Sequence, residues 1–152
     1  MADPAAILDA VTDIYENRLP FNRLLGLTVD RLDFGEAGFR FEMREDLIGN
    51  VVHGMLHGGV ISAVLDATGG MTATVSALEQ MKGLGIDEMA QRVTRISTID
   101  LRVDYLRPGK GSVFFSRGTV MRTGRKVAVI RMELKNQDEL LIAAGTGAYI
   151  VG

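Results

Sequence analysis

The chain has 152 residues, enough for one domain with an ordinary core, and its 47% hydrophobic and 24% charged residues exclude a disordered chain. It contains no cysteine, which excludes a disulfide framework, a thiolate zinc site, an iron–sulfur cluster and a cysteine nucleophile. The formal net charge of −2 hides an asymmetry: residues 1–91 carry 6 Lys/Arg against 14 Asp/Glu, and residues 92–135 carry 11 against 3. That basic stretch reads either as solvated strand faces or as a rim for an anionic ligand. The net acidic charge, the absence of Trp and the lack of any recognition motif argue against a nucleic-acid partner. Met1-Ala2-Asp3-Pro4 has neither the basic region nor the apolar core of a signal peptide, so a cytoplasmic location is expected.

Ile7, Leu8, Val11, Ile14 and Tyr15 recur at helical spacing after Pro4 and predict an N-terminal helix within residues 1–20, stopped by Pro20. Residues 27–34 and 38–43 read as a hairpin, with Phe39, Phe41 and Met43 alternating with Arg40, Glu42 and Arg44. The longest helical segment is 57–82. Val60, Val64, Ala67, Met71, Val75 and Leu78 are separated there by 4, 3, 4, 4 and 3 residues, one apolar stripe. Gly69-Gly70 weakens the helix locally, by roughly 1 kcal/mol per Gly relative to Ala. The segment is apolar enough to suggest a membrane span, but Asp66 and the interspersed Gly and Thr argue against one. Residues 83–94 read as a connection with room for a short helix.

After residue 95 the period changes to two. Ile99, Leu101, Val103 and Tyr105 alternate with Thr98, Asp100, Arg102 and Asp104. A turn at Pro108-Gly109-Lys110-Gly111 leads to a strand over 112–122, and Thr123-Gly124 turns into a third, with Ala128, Ile130, Met132 and Leu134 on one face. Residues 140–151 are nearly continuously apolar, the pattern of a strand covered on both faces. The short turns predict that these last four strands form an antiparallel meander. The fold class is therefore α+β: one long central helix wrapped by an antiparallel sheet of about five or six strands, plus an N-terminal helix, in a single domain spanning 1–152.

Between residues 47 and 78 the only charged side chain is Asp66. At 100° per residue it shares a face with Gly59, Ser62, Ala63, Gly70, Ala73 and Ala77, small residues that let another backbone come close. A carboxylate in such a crevice is either satisfied by neighbours such as Ser62 or works as a general base or nucleophile; the second reading is preferred. Upstream, Asn50 and then His53-Gly54-Met55-Leu56-His57-Gly58-Gly59 lead directly into the helix. Two glycines at a helix N-terminus expose amide N–H groups at its positive end, suited to a carbonyl oxygen becoming an oxyanion. His53 and His57 are four apart but have no third ligand at close spacing, so no metal is expected. A Ser-His-Asp arrangement through Ser62 lacks the G-x-S-x-G context. Gly58 and Asp66 lie eight residues apart, roughly 12 Å along a helix, too far for one carbonyl to touch both. If they serve one substrate they come from two copies of the chain, which predicts a dimer with two interfacial sites.

Leu56-His57-Gly58-Gly59-Val60-Ile61 with Asp66 downstream, and Thr98-Ile99-Asp100-Leu101-Arg102-Val103-Asp104-Tyr105-Leu106-Arg107-Pro108-Gly109, resemble the hotdog-fold acyl-CoA thioesterases of the PaaI-like group. Within that group, Pro20-Phe21-Asn22-Arg23, the Asp87-Glu88 loop, Lys126-Val127-Ala128-Val129 and the Tyr149-Ile150-Val151-Gly152 ending are most similar to the YigI-type medium/long-chain enzymes. The resemblance covers most of the chain. It implies a hotdog fold, pairing of two units into a homodimer or a dimer of dimers, and hydrolysis of medium/long-chain fatty acyl-CoA to free fatty acid and CoA without cofactor or metal. It implies that Asp66 activates water or attacks the thioester, that Gly58 supplies the oxyanion amide beside Gly59, that His57 positions their turn, and that Asn50 orients substrate or water. Thr98 stands where the group has a hydroxyl that assists the water. Arg107, Arg122, Arg125 and Lys126 are candidates for the CoA phosphates, drawn from the charge asymmetry. Two other readings remain: a 3-hydroxyacyl dehydratase, which needs His paired with an acid, and a non-catalytic acyl-CoA-binding module.

Overall fold

The structure, a computed structural model, describes residues 2–152. Helix α1 (Pro4–Asp13) continues through one wide π turn (Ile14–Arg18) and is followed by a short helix α2 (Pro20–Leu25). Strands β1 (Thr28–Leu32) and β2 (Glu36–Glu42) form the expected hairpin, with Phe39 and Phe41 buried. A two-stranded pair, β3 (Ile48–Asn50) and β4 (Met55–Leu56), leads into the central helix α3 (Gly58–Gln80). Helix α4 (Ile86–Val93) fills the connection to β5 (Ser97–Tyr105), and β6 (Val113–Thr123), β7 (Val127–Asn136) and β8 (Leu141–Ile150) complete the chain. The six-stranded sheet has the order β1-β2-β6-β7-β8-β5, antiparallel throughout.

Helix α3 packs along the inner face of this sheet, touching β2, β5, β6, β7 and β8. The alternation read in β7 holds: Ala128, Ile130, Met132 and Leu134 are all buried against it. Its length and hydropathy would suit a membrane span, but most of it is buried by the chain's own sheet. The buried hydroxyls of Thr68 and Thr72 donate to the carbonyls of Val64 and Thr68 at 2.7 Å, so α3 carries polar residues inward without orphaned donors.

Four expectations need correction. Pro20 does stop the N-terminal helix, but it also occupies the first turn of α2, where its missing N–H costs nothing. The last four strands are not one meander: β5 pairs with β8, and only β6-β7-β8 follow each other in space. The edge of β6 next to β5 in sequence is taken by β2, so residues 106–112 cross the end of the sheet, a span of about three interstrand spacings or ~14 Å. Leu106 and Arg107 N–H both donate to the Ile142 carbonyl and anchor that crossing. Strand β8 is covered on one face only, since Thr146 and Ile150 are exposed and small residues Ala144 and Ala148 line the same outer side. Finally, a bulge between Thr98 and Asp100 shifts the alternation of β5. Thr98 therefore joins Leu101, Val103 and Tyr105 on the face toward α3, and Ile99 is turned out, 51% exposed.

Candidate active site

Asp66 lies in the middle of α3 and is half-buried. Its Oδ1 accepts the Thr98 hydroxyl at 2.9 Å and the Tyr149 hydroxyl at 3.3 Å; the same tyrosine lies 3.3 Å from the Asp66 main-chain oxygen. Among the described residues, Oδ2 takes no hydrogen bond. Ser62 does not satisfy the carboxylate, because its hydroxyl donates to the Gly59 carbonyl at 3.1 Å.

Tyr149 was given no site role by the sequence, where it belongs to the apolar terminal run and to the ending that carries the family resemblance. It is 1% exposed. A Cβ on Gly69 would fall 2.0 Å from its hydroxyl, and one on Gly147 would fall 2.8 Å from its ring. The two glycines, one mid-helix and one mid-strand, are what admit the ring, and they are the signal that points to it. Burial, then the Asp66 charge, push Tyr149 far above the usual tyrosine range, so its hydroxyl keeps its proton and acts as a donor. Tyr15 is also raised, first by burial, although its hydrogen bond with Thr74 (2.9 Å) opposes the shift.

The start of α3 is built by the β3–β4 pair. The Asn50 side-chain oxygen accepts the N–H groups of Val52 and His53 at 3.1 Å each, and its main-chain oxygen accepts that of Gly54 at 2.8 Å. Asn50 thus shapes the turn before the helix. His57 is the N-cap: its Nδ1 accepts the Gly59 N–H at 2.8 Å, so that amide is engaged and His57 is not paired with an acid. The Gly58 N–H has no acceptor among the described residues, while its carbonyl accepts the Tyr105 hydroxyl at 3.0 Å. Asp66 and Gly58 are therefore each tied to β5, one through Thr98 and the other through Tyr105. No group of three or more His, Cys, Asp or Glu is placed to hold a metal among the described residues.

The basic candidates do not form one patch. Arg107 is at the Gly58 end of α3 and donates to the Leu141 carbonyl at 2.9 Å. Arg122, Arg125 and Lys126 are exposed at the other end, where Gln80 and Ser76 bond Thr123. None of the four has an ion-pair partner among the described residues, whereas Arg92, Arg102, Arg117 and Arg131 are each paired with a nearby carboxylate. The small-residue face of α3 is open only in its first half, since Ala73 and Ala77 are buried within the chain. Beside the open half, Phe21 and Leu24 of α2, 57% and 64% exposed, flank a groove of about 400 Å³ whose floor is Gly59, Val60 and Ala63. β5 is an edge strand with one free side, and Tyr105 on it is 54% exposed.

The wrapped helix, its glycine-rich start and the isolated carboxylate at its middle define an α+β enzyme-like fold seen repeatedly among thioesterases. The sequence profile of the thioesterase superfamily matches residues 53–143, and the chain belongs to that superfamily. It is 43% identical over 95% of its length to the medium/long-chain acyl-CoA thioesterase YigI of Salmonella typhimurium, and 41% identical over 95% to that of Escherichia coli K12, covering 94% of each. A crystal structure from Shewanella oneidensis, described as related to the thioesterase superfamily, superposes with a TM-score of 0.94 at 43% identity, over 98% of this chain and 97% of that one.

Proposed function

We propose that this chain is an acyl-CoA thioesterase, hydrolysing medium- and long-chain fatty acyl-CoA to free fatty acid and CoA. One observation carries the reading: a lone carboxylate in mid-helix has one oxygen fixed by two hydroxyls and the other unengaged. Ionised Asp66 either takes the proton of a water that adds to the thioester carbonyl, or adds to that carbon itself, giving an anhydride that water then cleaves. In both routes the C–S bond breaks, and the departing thiolate is protonated. The Gly58 N–H, at the positive end of α3, receives the oxyanion. His57 and Asn50 hold that amide by fixing the turn, with Gly59 as the partner of His57. Neither metal nor cofactor takes part. The names of the Salmonella and Escherichia relatives support the substrate class.

Two protomers complete each site. Thr98 marks Asp66 on β5 and Tyr105 marks Gly58, so an antiparallel pairing of two β5 strands about an axis near Leu101–Arg102 brings Asp66 of one protomer to Gly58 of the other. A nine-residue edge strand carrying exposed Ile99 and Tyr105, with exposed Leu106 just beyond it, favours such pairing. Two such dimers can associate further. The acyl chain lies in the groove between α2 and α3, against Phe21, Leu24 and Val60. Arg107, Arg122, Arg125 and Lys126, each without an ion-pair partner among the described residues, are candidates for the CoA phosphates. A cytoplasmic site of action goes with a CoA ester. The test is release of free thiol from a panel of acyl-CoAs by Asp66→Asn. Loss of at least about a hundredfold in kcat is expected; activity within a few-fold of the parent removes Asp66 from the chemistry.

A further inference from the structure

We propose that Tyr149 is a positioning residue for the hydrolysis: with Thr98 it pins Asp66 Oδ1, so that Oδ2 alone is presented to the thioester or its attacking water. The inference rests on the reading of Asp66 as the reacting carboxylate and names what orients it. Thr98 and Tyr149 are direct neighbours across the β5–β8 ladder and reach Asp66 from the same wall of the sheet. Both hydroxyls meet the same carboxylate oxygen, at 2.9 and 3.3 Å. A carboxylate bonded on one oxygen by two donors loses rotation about its terminal torsion, which is otherwise broad. The ring that carries the second hydroxyl is itself immobile, threaded between Gly69 and Gly147, where any side chain would collide with it. Tyr149 therefore transmits the rigidity of the sheet to the acidic group in the middle of the helix.

The groups that face this pair are few. Tyr149 comes from β8, Thr98 and Asp100 from β5, and Tyr15 from the π turn, with Asp66 itself on α3. No cation is among them, so the two hydroxyls are the side-chain partners that hold Oδ1 among the described residues.

The experiment compares Tyr149→Phe, Thr98→Val and Asp66→Asn with the parent protein, measuring kcat, KM and the pH profile of kcat/KM for a long-chain acyl-CoA. Phenylalanine keeps the ring in its slot; Asp66 keeps Thr98 on Oδ1, and its main-chain oxygen remains in the helix ladder. Tyr149→Phe is expected to lower kcat about tenfold with little change in KM. Its acid limb should move to higher pH, because a donor to the charged form is gone. A residue that only filled space would move neither. Thr98→Val supplies the second reading should the phenylalanine variant fold poorly, and is expected to shift the limb in the same direction. If both variants keep the parent's kcat and acid limb while Asp66→Asn is inactive, the positioning role is refuted and the catalytic carboxylate stands. If Asp66→Asn is active, the underlying reading falls, and this inference with it.

Discussion

The proposed sharing of the site between protomers can be tested by dividing it between two inactive proteins. Helix α3 rises about 1.5 Å per residue, so the eight positions from Gly58 to Asp66 separate the amide and the carboxylate by roughly 12 Å. A reacting carbonyl needs its oxygen about 3 Å from the amide and its carbon about 3–3.5 Å from the attacking atom, which leaves the two groups no more than ~7 Å apart when Asp66 attacks directly and ~10 Å when it acts through a water. A site shared between two protomers is what this mismatch predicts. Asp66→Asn removes the carboxylate. Gly58→Pro removes the N–H, and the local backbone accepts it: the position opens the helix, and His57 sits at φ −62°, ψ 137°, the extended conformation that precedes proline. A Cβ there meets Tyr105 Cε1 at 3.4 Å, an ordinary contact. Losing an oxyanion donor costs about 10²–10³ in kcat, so each homodimer is close to silent. Unfolded together and refolded in equal amounts, the two variants give about half heterodimers, each with one intact and one doubly damaged site, or about a quarter of the parent's activity. The assay is thiol release from the refolded mixture against the two variants refolded separately. A mixture no more active than the average of its components would place both groups in one protomer and refute the geometry.

Phe21→Ala with Leu24→Ala widens the groove beside α2 and removes two exposed apolar walls. Loss of the methylene contacts, at about 25 cal/mol per Å² of buried area, should lower kcat/KM for long-chain substrates roughly tenfold and leave acetyl-CoA turnover unchanged; equal losses for both would detach the groove from chain recognition. Gly69→Ala drives a methyl to 2.0 Å from the Tyr149 hydroxyl. Overpacking of that kind should cost about 1–3 kcal/mol in thermal or denaturant unfolding and reduce kcat through the displaced ring, whereas a neutral or stabilising alanine would show that Tyr149 does not need the gap.

The helices and strands of this fold were legible wherever burial imposes a period. The stripe from Val60 to Leu78 placed α3 to within two residues at either end, and the alternation in β7 gave its buried face. The isolation of Asp66 in an uncharged window singled it out, and Thr98 was found with it through the family resemblance. What escaped depends on distant geometry. A bulge changes the parity of β5 without any change in residue type, so Ile99 read as an inward residue. The Pro108-Gly109 turn looks the same whether the next strand lies alongside or across the sheet, and only the claim of β2 on the edge of β6 decides between them. The small-residue face of α3 looked uniform, but α1, the π turn and α4 fold over its second half and leave only Gly59 to Gly70 available.

Tyr149 was hidden for a different reason, and its neighbours explain why. A glycine inside a helix costs roughly 1 kcal/mol relative to alanine and one inside a strand also weakens it, while an acidic side chain in an apolar helix must find donors or stay wet. Gly69, Gly147 and Asp66 each break the local rule of the element that holds them. Taken one at a time along the chain they read as imperfections. In space the two glycines flank one ring, and that ring donates to the carboxylate. Local choices that disagree with their own element, yet meet at one point, are what a site looks like when position has been kept at the expense of propensity. The helix could regain stability by exchanging Gly69 for alanine only if the tyrosine withdrew, and Asp66 would then hang from Thr98 alone, with both carboxylate oxygens freer to turn.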